Sequence, residues 1–353
     1  MKTFLIGAND AGQRLDKFLT KAVPLLPQPL LYKYIRLKRI KRNKKRCEIS
    51  TRLQEGDVLE LYINDEFFSP PAGKAAFLHA PAQLDLLYED ENVLLVNKPA
   101  GLIVHEDDRE AFDTLINRIL HYLYEKKEYD PRQENSFVPA LCNRIDRNTS
   151  GIVLAAKNAA ALRELNQRIK DRQIQKRYLC VVHGRMPQPR QTLTAYLKKD
   201  ADQNQVRVYD RPIPGGRTIR TAYQVLAEKD GLSLLKIDLL TGRTHQIRAH
   251  MAHLGHPLLG DFKYGKNRAD RQLGYRFQAL CAYQVSFSFT GETGLLSYLE
   301  GQTFTVPRVD FVKALFPDEA GKLSKEGADG AAQPLWASAA PERPVFANRF
   351  HRV

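Results

Sequence analysis

Residues 142–170 read CNRIDRNTSGIVLAAKNAAALRELNQRIK and hold three kinds of local order in one run. The opening residues are polar and end in Thr149, Ser150 and Gly151, a combination that makes tight turns. IVLAAK (152–157) is a short unbroken apolar stretch, the pattern of a buried strand. NAAALRELNQRIK (158–170) changes period, and its apolar residues recur as one face of an amphipathic helix. IQKRYLCVVHG (174–184) follows as another strand closed by a turn glycine.

The same alternation extends outward. LDLLYEDENVLLVNKPAG (84–101) gives two short strands around the EDEN turn, and TLINRILHYLYEKK (114–127) is helical. LSLLKIDLL (232–240) is a strand, and THQIRAHMAHLG (244–255) is a helix stopped by Gly255. Strands outnumber helices and often stand next to one another in hairpins. The fold class expected for 84–315 is α+β, a mixed, mainly antiparallel sheet with flanking helices.

Ahead of it, 1–65 has the makings of a small α/β domain. QRLDKFLTKAV (13–23) sets Leu15, Phe18, Leu19 and Val23 on one helical face, and prolines at 24, 27 and 29 end that helix. A second helix is expected over Leu30–Lys38, and LQEGDVLELYI (53–63) is a turn followed by an alternating strand. LYKYIRLKRIKRNKKR (31–46) carries nine Lys or Arg and no acid. Lys33, Arg36, Lys38, Arg39, Lys41 and Arg42 are its candidate contacts to a polyanion. Residues 66–83 form a Pro- and Ala-rich linker. From 316 to 353 the composition turns small and polar, as in a flexible tail, with Trp336, Phe346 and Phe350 as its aromatic residues.

Charge points the same way. Across 353 residues, 54 Lys and Arg against 40 acids leave a formal net charge of +14, which favours nucleic acid as partner. No apolar stretch is long enough to cross a membrane, and MKTFLIGANDAGQR is too short in its apolar run for a secretory signal, so a cytoplasmic protein is expected. The four cysteines are far apart with no C-x-x-C pair, so neither a zinc site nor a disulfide framework is expected.

Three places can carry chemistry. Asp146, on the turn before IVLAAK, can act as a nucleophile or general base, although a salt-bridged turn is the simpler alternative for a lone carboxylate between Arg144 and Arg147. In TGRTHQIRAH (241–250), Arg243, His245 and Arg248 gather near a helix start and suit an anion. His245, His250, His253 and His256 lack a matching Cys or acid and the H-E-x-x-H pattern, so no metal is expected there. In IQKRYLCVV, strand alternation puts Lys176 and Tyr178 on one face, where a Tyr can stack a base beside cations; a core Tyr is the plainer alternative.

Together these stretches resemble a known family. RIDRNTSGIVLAAKN is similar to the motif around the catalytic aspartate of RluA-type pseudouridine synthases, H-R-L-D-x-x-T-S-G-[LI]. YEDENVLLVNKPAGLIVH (88–105) resembles the family's opening motif and TGRTHQIRAHMAHLGHPLLGDFKYG (241–265) its C-terminal one. RLDKFL, the basic helix and the strand after EGD resemble an alpha-L (S4-like) RNA-binding domain, except that Asn43 is followed by Lys44 where Asn-Gly is usual. Two further departures are Asn143 in place of the family's His, and Leu280-Cys281-Ala282 in place of L-H-A.

The resemblance implies an isomerase that needs no cofactor and no metal and acts as a monomer on structured RNA. Large-subunit ribosomal RNA is favoured and transfer RNA is the alternative. It implies that Asp146 is the catalytic carboxylate acting at C1′/C2′ of the target uridine. By the same resemblance Arg144 fills the gap left by the flipped base, Tyr178 stacks on that base, and Arg248 pairs with Asp146. Lys176, Arg243 and His245 would contact RNA, and Arg147 phosphate or solvent. Two other classes compete: a non-catalytic RNA-binding or ribosome-assembly protein, hinted at by Asn143 and Cys281, and a glycoside hydrolase, disfavoured because the motif offers one carboxylate rather than two.

Overall fold

The structure, a computed structural model, describes residues 1–68, 76–106, 112–200, 205–265, 269–291 and 294–326. It divides into two compact units, Met1–Ile174 with Phe287–Glu300, and Gln175–Ser286 with the chain from Gly301 onward.

The first unit begins with β1 (Lys2–Leu5), α1 (Leu15–Ala22), α2 (Gln28–Arg36), β2 (Ile40–Arg42), β3 (Lys45–Arg46) and β4 (Val58–Leu61). The strands form an antiparallel sheet in the order β1-β4-β2-β3. Leu15, Phe18, Leu19 and Val23 turn inward from α1 and meet Leu31, Ile40, Leu59 and Leu61 in one core. The β2–β3 hairpin keeps a two-residue turn without glycine. Arg42 faces Lys45, and Asn43 (φ 50°) and Lys44 (φ 62°) both take the left-handed conformation that such turns require. Asn43 fixes the turn by accepting from Val58 N at 2.8 Å and donating to Asp57 Oδ1 at 2.8 Å.

The same unit continues with β5 (Leu86–Glu89), β6 (Val93–Lys98), α3 (Leu115–Glu125), β7 (Ala140–Leu141), β8 (Ser150–Ala156) and α4 (Ala159–Lys170). β6 runs antiparallel to β8 from Val93↔Ala156 to Lys98↔Gly151. Residues 93–96 and 151–156 are buried throughout, as unbroken apolar strands should be. Both helices open on side-chain caps: Thr114 accepts from Asn117 N, and Asn158 accepts from Ala161 N. Residues 9–13 tie the N-terminal elements to this part. Asn9 Oδ1 accepts from Ala159 N at 3.1 Å, and Asp10 accepts from Ser136 Oγ at 2.6 Å and Asn135 Nδ2 at 2.7 Å.

The second unit holds β9 (Ile174–His183), β10 (Arg190–Asp200), β11 (Gln205–Tyr209), β12 (Arg217–Lys229), β13 (Leu232–Leu239), α5 (Gln246–His253), the short α6 (Ala269–Gln272), β14 (Leu280–Phe287), β15 (Thr303–Thr305), α7 (Asp310–Leu315) and α8 (Pro317–Glu326). Its sheet runs β11-β10-β12-β13-β9-β14, with β15 on β14. The β10–β11, β10–β12, β12–β13 and β9–β13 ladders are antiparallel, and the α+β class with a mainly antiparallel sheet holds. Buried Arg177 faces Asp238 across β9–β13; its Nε lies 3.0 Å from Asp238 Oδ1, and Nη1 donates to Gln284 Oε1 at 3.0 Å.

At the C-terminus the chain is helical over Pro317–Glu326, where composition alone suggests a tail. Proline at the first position and Asp318 and Glu319 in the first turn suit a helix start. Leu323 is buried, and its carbonyl accepts from the Tyr283 hydroxyl at 2.9 Å. The remaining tail, 327–353, and linker residues 69–75 lie outside the described residues. Among the described residues no helix is long and apolar enough to cross a membrane.

Candidate active site

In the first unit the site grows from the turn ahead of β8. Thr149 N donates to the Asp146 carbonyl at 3.0 Å, which closes the turn. Gly151 follows at φ 107°, a conformation L side chains rarely take, so the chain can enter β8 beside Lys98. The turn is held from below by the NKPAG segment. Lys98, fully buried, donates through Nζ to the carbonyls of Pro99 (2.9 Å), Leu102 (2.8 Å) and Arg147 (2.9 Å). Gly101 N donates to the Arg147 carbonyl at 2.9 Å, and Arg147 Nε donates to the Gly101 carbonyl at 3.0 Å.

Burial pulls the Lys98 ammonium down to about 7, while the neighbouring Asp146 carboxylate acts in the opposite direction. Its three carbonyl acceptors use every N–H of the protonated form. Asp146 is half-buried at the rim of this clamp, with Arg144 and Arg147 exposed on either side. Arg144 also acts on His105, which burial first and the guanidinium second hold below the ordinary imidazole range. Asn143, standing where the family has His, is buried and accepts from Leu154 N at 2.8 Å, which extends the β7–β8 pairing by one side chain.

In the second unit Tyr178 and Lys176 lie on β9, Tyr178 buried and opposite Ile237 of β13. Arg243 is exposed ahead of α5, and His245 enters that helix at φ 52°. Arg248 is buried and makes a two-point pair with Asp261, Nε to Oδ2 at 2.7 Å and Nη2 to Oδ1 at 3.0 Å. Burial pushes the Asp261 carboxyl up, but the Arg248 contacts outweigh it and hold the group below the usual carboxylate range. Tyr264 completes the cluster, its ring 5.3 Å from the Arg248 guanidinium and its hydroxyl 2.8 Å from His245 Nδ1.

Within each unit the residues expected from sequence are held locally: in the first, Asp146, Arg144 and Arg147 on one clamped turn; in the second, Arg248 and His245 around Tyr264, and Tyr178 and Lys176 on one strand. The N-terminal cations lie on α2 and the residues after it. Lys33, Arg36, Lys38 and Arg39 are exposed, while Arg42 is paired with Asp57 at 2.6 Å. Lys98, Asp261 and Tyr264 escape residue-by-residue reading, although all three sit inside motif stretches. No group of three or more His, Cys, Asp or Glu side chains suited to a metal occurs among the described residues.

Comparison with known proteins gives this arrangement a class. A sequence model described as RNA pseudouridylate synthase matches residues 92–253. An uncharacterized RNA pseudouridine synthase of Mycoplasma genitalium is 36% identical over 80% of this chain and 88% of its own. Ribosomal large subunit pseudouridine synthase C of Escherichia coli is 32% identical over 82% of this chain and 89% of its own. Among solved structures, human RNA pseudouridylate synthase domain containing 4 shares the fold, with a TM-score of 0.51 at 20% identity over 68% of this chain and 92% of that one. The class is that of an isomerase. The chain belongs to the RluA-type RNA pseudouridine synthase family.

Proposed function

We propose that this protein converts a specific uridine of structured RNA, in large-subunit ribosomal RNA, to pseudouridine, with Asp146 as the catalytic carboxylate. The reading is carried by the clamped turn: a half-buried carboxylate whose neighbour, Arg147, gives its carbonyl to a buried ammonium, while Asp146's own carbonyl closes the turn on Thr149 N, within a chain of this family. In the reaction the C1′–N1 bond breaks, the base turns, and C1′–C5 forms. C5 gives up its hydrogen as a proton and N1 takes one, so atoms and electrons balance without a redox step.

Asp146 acts at C1′/C2′. A flipped base loses a few kcal/mol of stacking, and the chain can return part of that through Tyr178 against the base and Arg144 in the vacated space. Arg248, its fork oriented by Asp261, supplies the cation of the site. Arg147, Lys176, Arg243 and His245 contact the RNA around the target, and residues 1–65 act as an alpha-L RNA-binding module through Lys33, Arg36, Lys38, Arg39 and Lys41. Ribosomal RNA is preferred as substrate because the synthase C relatives are named for it. Pseudouridine mapping in a strain lacking the gene tests this. A missing site in large-subunit RNA, restored by the wild-type gene and not by Asp146→Asn, is expected; an unchanged ribosomal map with a site lost from transfer RNA would overturn the substrate.

A further inference from the structure

A pocket of about 450 Å³ in the second unit is lined by Phe262, Arg271, Gly274, Tyr275 and Arg276. None of these residues takes part in the site described above. The Arg271 guanidinium lies 4.5 Å from the centre of the Phe262 ring. Arg271 and Arg276 are exposed, and among the described residues neither has a carboxylate within ion-pair range. Phe262 and Tyr275 are half-buried, so each shows part of a ring.

The frame behind the pocket is hydrogen-bonded and closely packed. Asp270, buried, accepts from Gly260 N at 2.8 Å and lies 3.0 Å from His183 Nε2, while its carbonyl accepts from Tyr275 N at 3.0 Å. Gly260, at φ +74°, packs so closely that a Cβ there would stand 2.4 Å from the Phe277 carbonyl oxygen. Phe262 directly follows Asp261, the residue that holds Arg248. Two guanidiniums with no carboxylate partner among the described residues, beside two part-exposed aromatic rings on a hydrogen-bonded frame, is the arrangement that takes an unpaired nucleotide, with base on ring and phosphate on cation.

We propose that this pocket is a subsite for one unpaired nucleotide of the RNA substrate, its base stacked on Phe262 or Tyr275 and its phosphates on Arg271 and Arg276. This rests on the RNA-directed reading above. The test uses the full chain and in-vitro transcribed large-subunit ribosomal RNA carrying 4-thiouridine. After irradiation, mass spectrometry is expected to place a cross-link on the peptide containing Phe262 or Tyr275. Arg271→Gln with Arg276→Gln is expected to weaken RNA binding about tenfold, seen in KM rather than kcat, and to lower the salt slope by roughly 0.7–0.9 per lost phosphate contact.

Cross-links confined to other regions together with an unchanged KM would overturn the subsite, as would a pocket that captures only protein. A wild-type enzyme that isomerises no uridine defeats the catalytic assignment instead, and the cross-link still decides the pocket.

Discussion

Lys98 is the residue on which the Asp146 turn rests. Its Nζ gathers carbonyls from Pro99 and Leu102 on its own loop and from Arg147, 49 residues away. Lys98→Met would take this donor from the Pro99 and Leu102 carbonyls and leave the Arg147 carbonyl to Gly101 N alone, at a cost of at least about 2 kcal/mol, since a buried group that loses its partner costs about 1–3 kcal/mol. The urea midpoint is expected to fall with the slope unchanged; coincident curves would show that the clamp holds nothing. His250 makes a pH prediction. Burial first, and then the His253 charge, lower it to about 4, and its Nδ1 lies 3.1 Å from Thr221 Oγ1. The folded form is depressed relative to about 6.5 when unfolded, so the unfolded chain binds the extra proton between those values. Stability is full above about pH 6.5 and is lost as the pH falls towards 4, by at most about 3 kcal/mol. His250→Gln should flatten that part of a pH-denaturation curve; an equal slope in both proteins would remove His250 as the cause.

At the scale of elements, period was a good guide. The strand expected over 152–157 runs from Ser150 to Ala156, and the helix expected over 158–170 covers Ala159–Lys170 behind its Asn158 cap. The 174–184 strand ends at His183. These elements announce themselves because one face or both must be buried. Polar partners do not: Lys98 with Arg147 and Arg248 with Asp261 meet only after the chain folds back, and no spacing rule pairs them. The helix over Pro317–Glu326 was hidden by its small and charged residues, since among the side chains described there Leu323 alone is buried. The β2–β3 turn shows the reverse case, a geometry retained with a residue that resists it. Lys44 at φ 62° carries a left-handed penalty of roughly 1–2 kcal/mol that glycine avoids. Lys44→Gly should therefore raise the thermal midpoint, partly offset by the freer unfolded chain; a lower midpoint would mean the lysine itself supports the turn.

Over the whole molecule the proposed capture of RNA rests on the net charge of +14 and on the cations of α2 and its following residues. Lys38 and Arg39 are exposed and Lys41 half-buried, whereas Arg42 is already paired with Asp57 at 2.6 Å. Reversing Lys38, Arg39 and Lys41 to Glu should weaken RNA binding and lower the slope of log affinity against log salt by about 0.7–0.9 for each contact removed. An unchanged slope would place the electrostatic surface elsewhere. The central claim is the chemistry at Asp146. Ribosomal RNA labelled with tritium at uridine C5 reports it directly, because C5 must shed its hydrogen when it bonds to C1′. The wild-type protein is expected to release tritium to water, and Asp146→Asn, folded and still binding RNA, to lose release by at least about a thousandfold, a barrier rise of about 4 kcal/mol. Release at the wild-type rate by that variant would contradict the account.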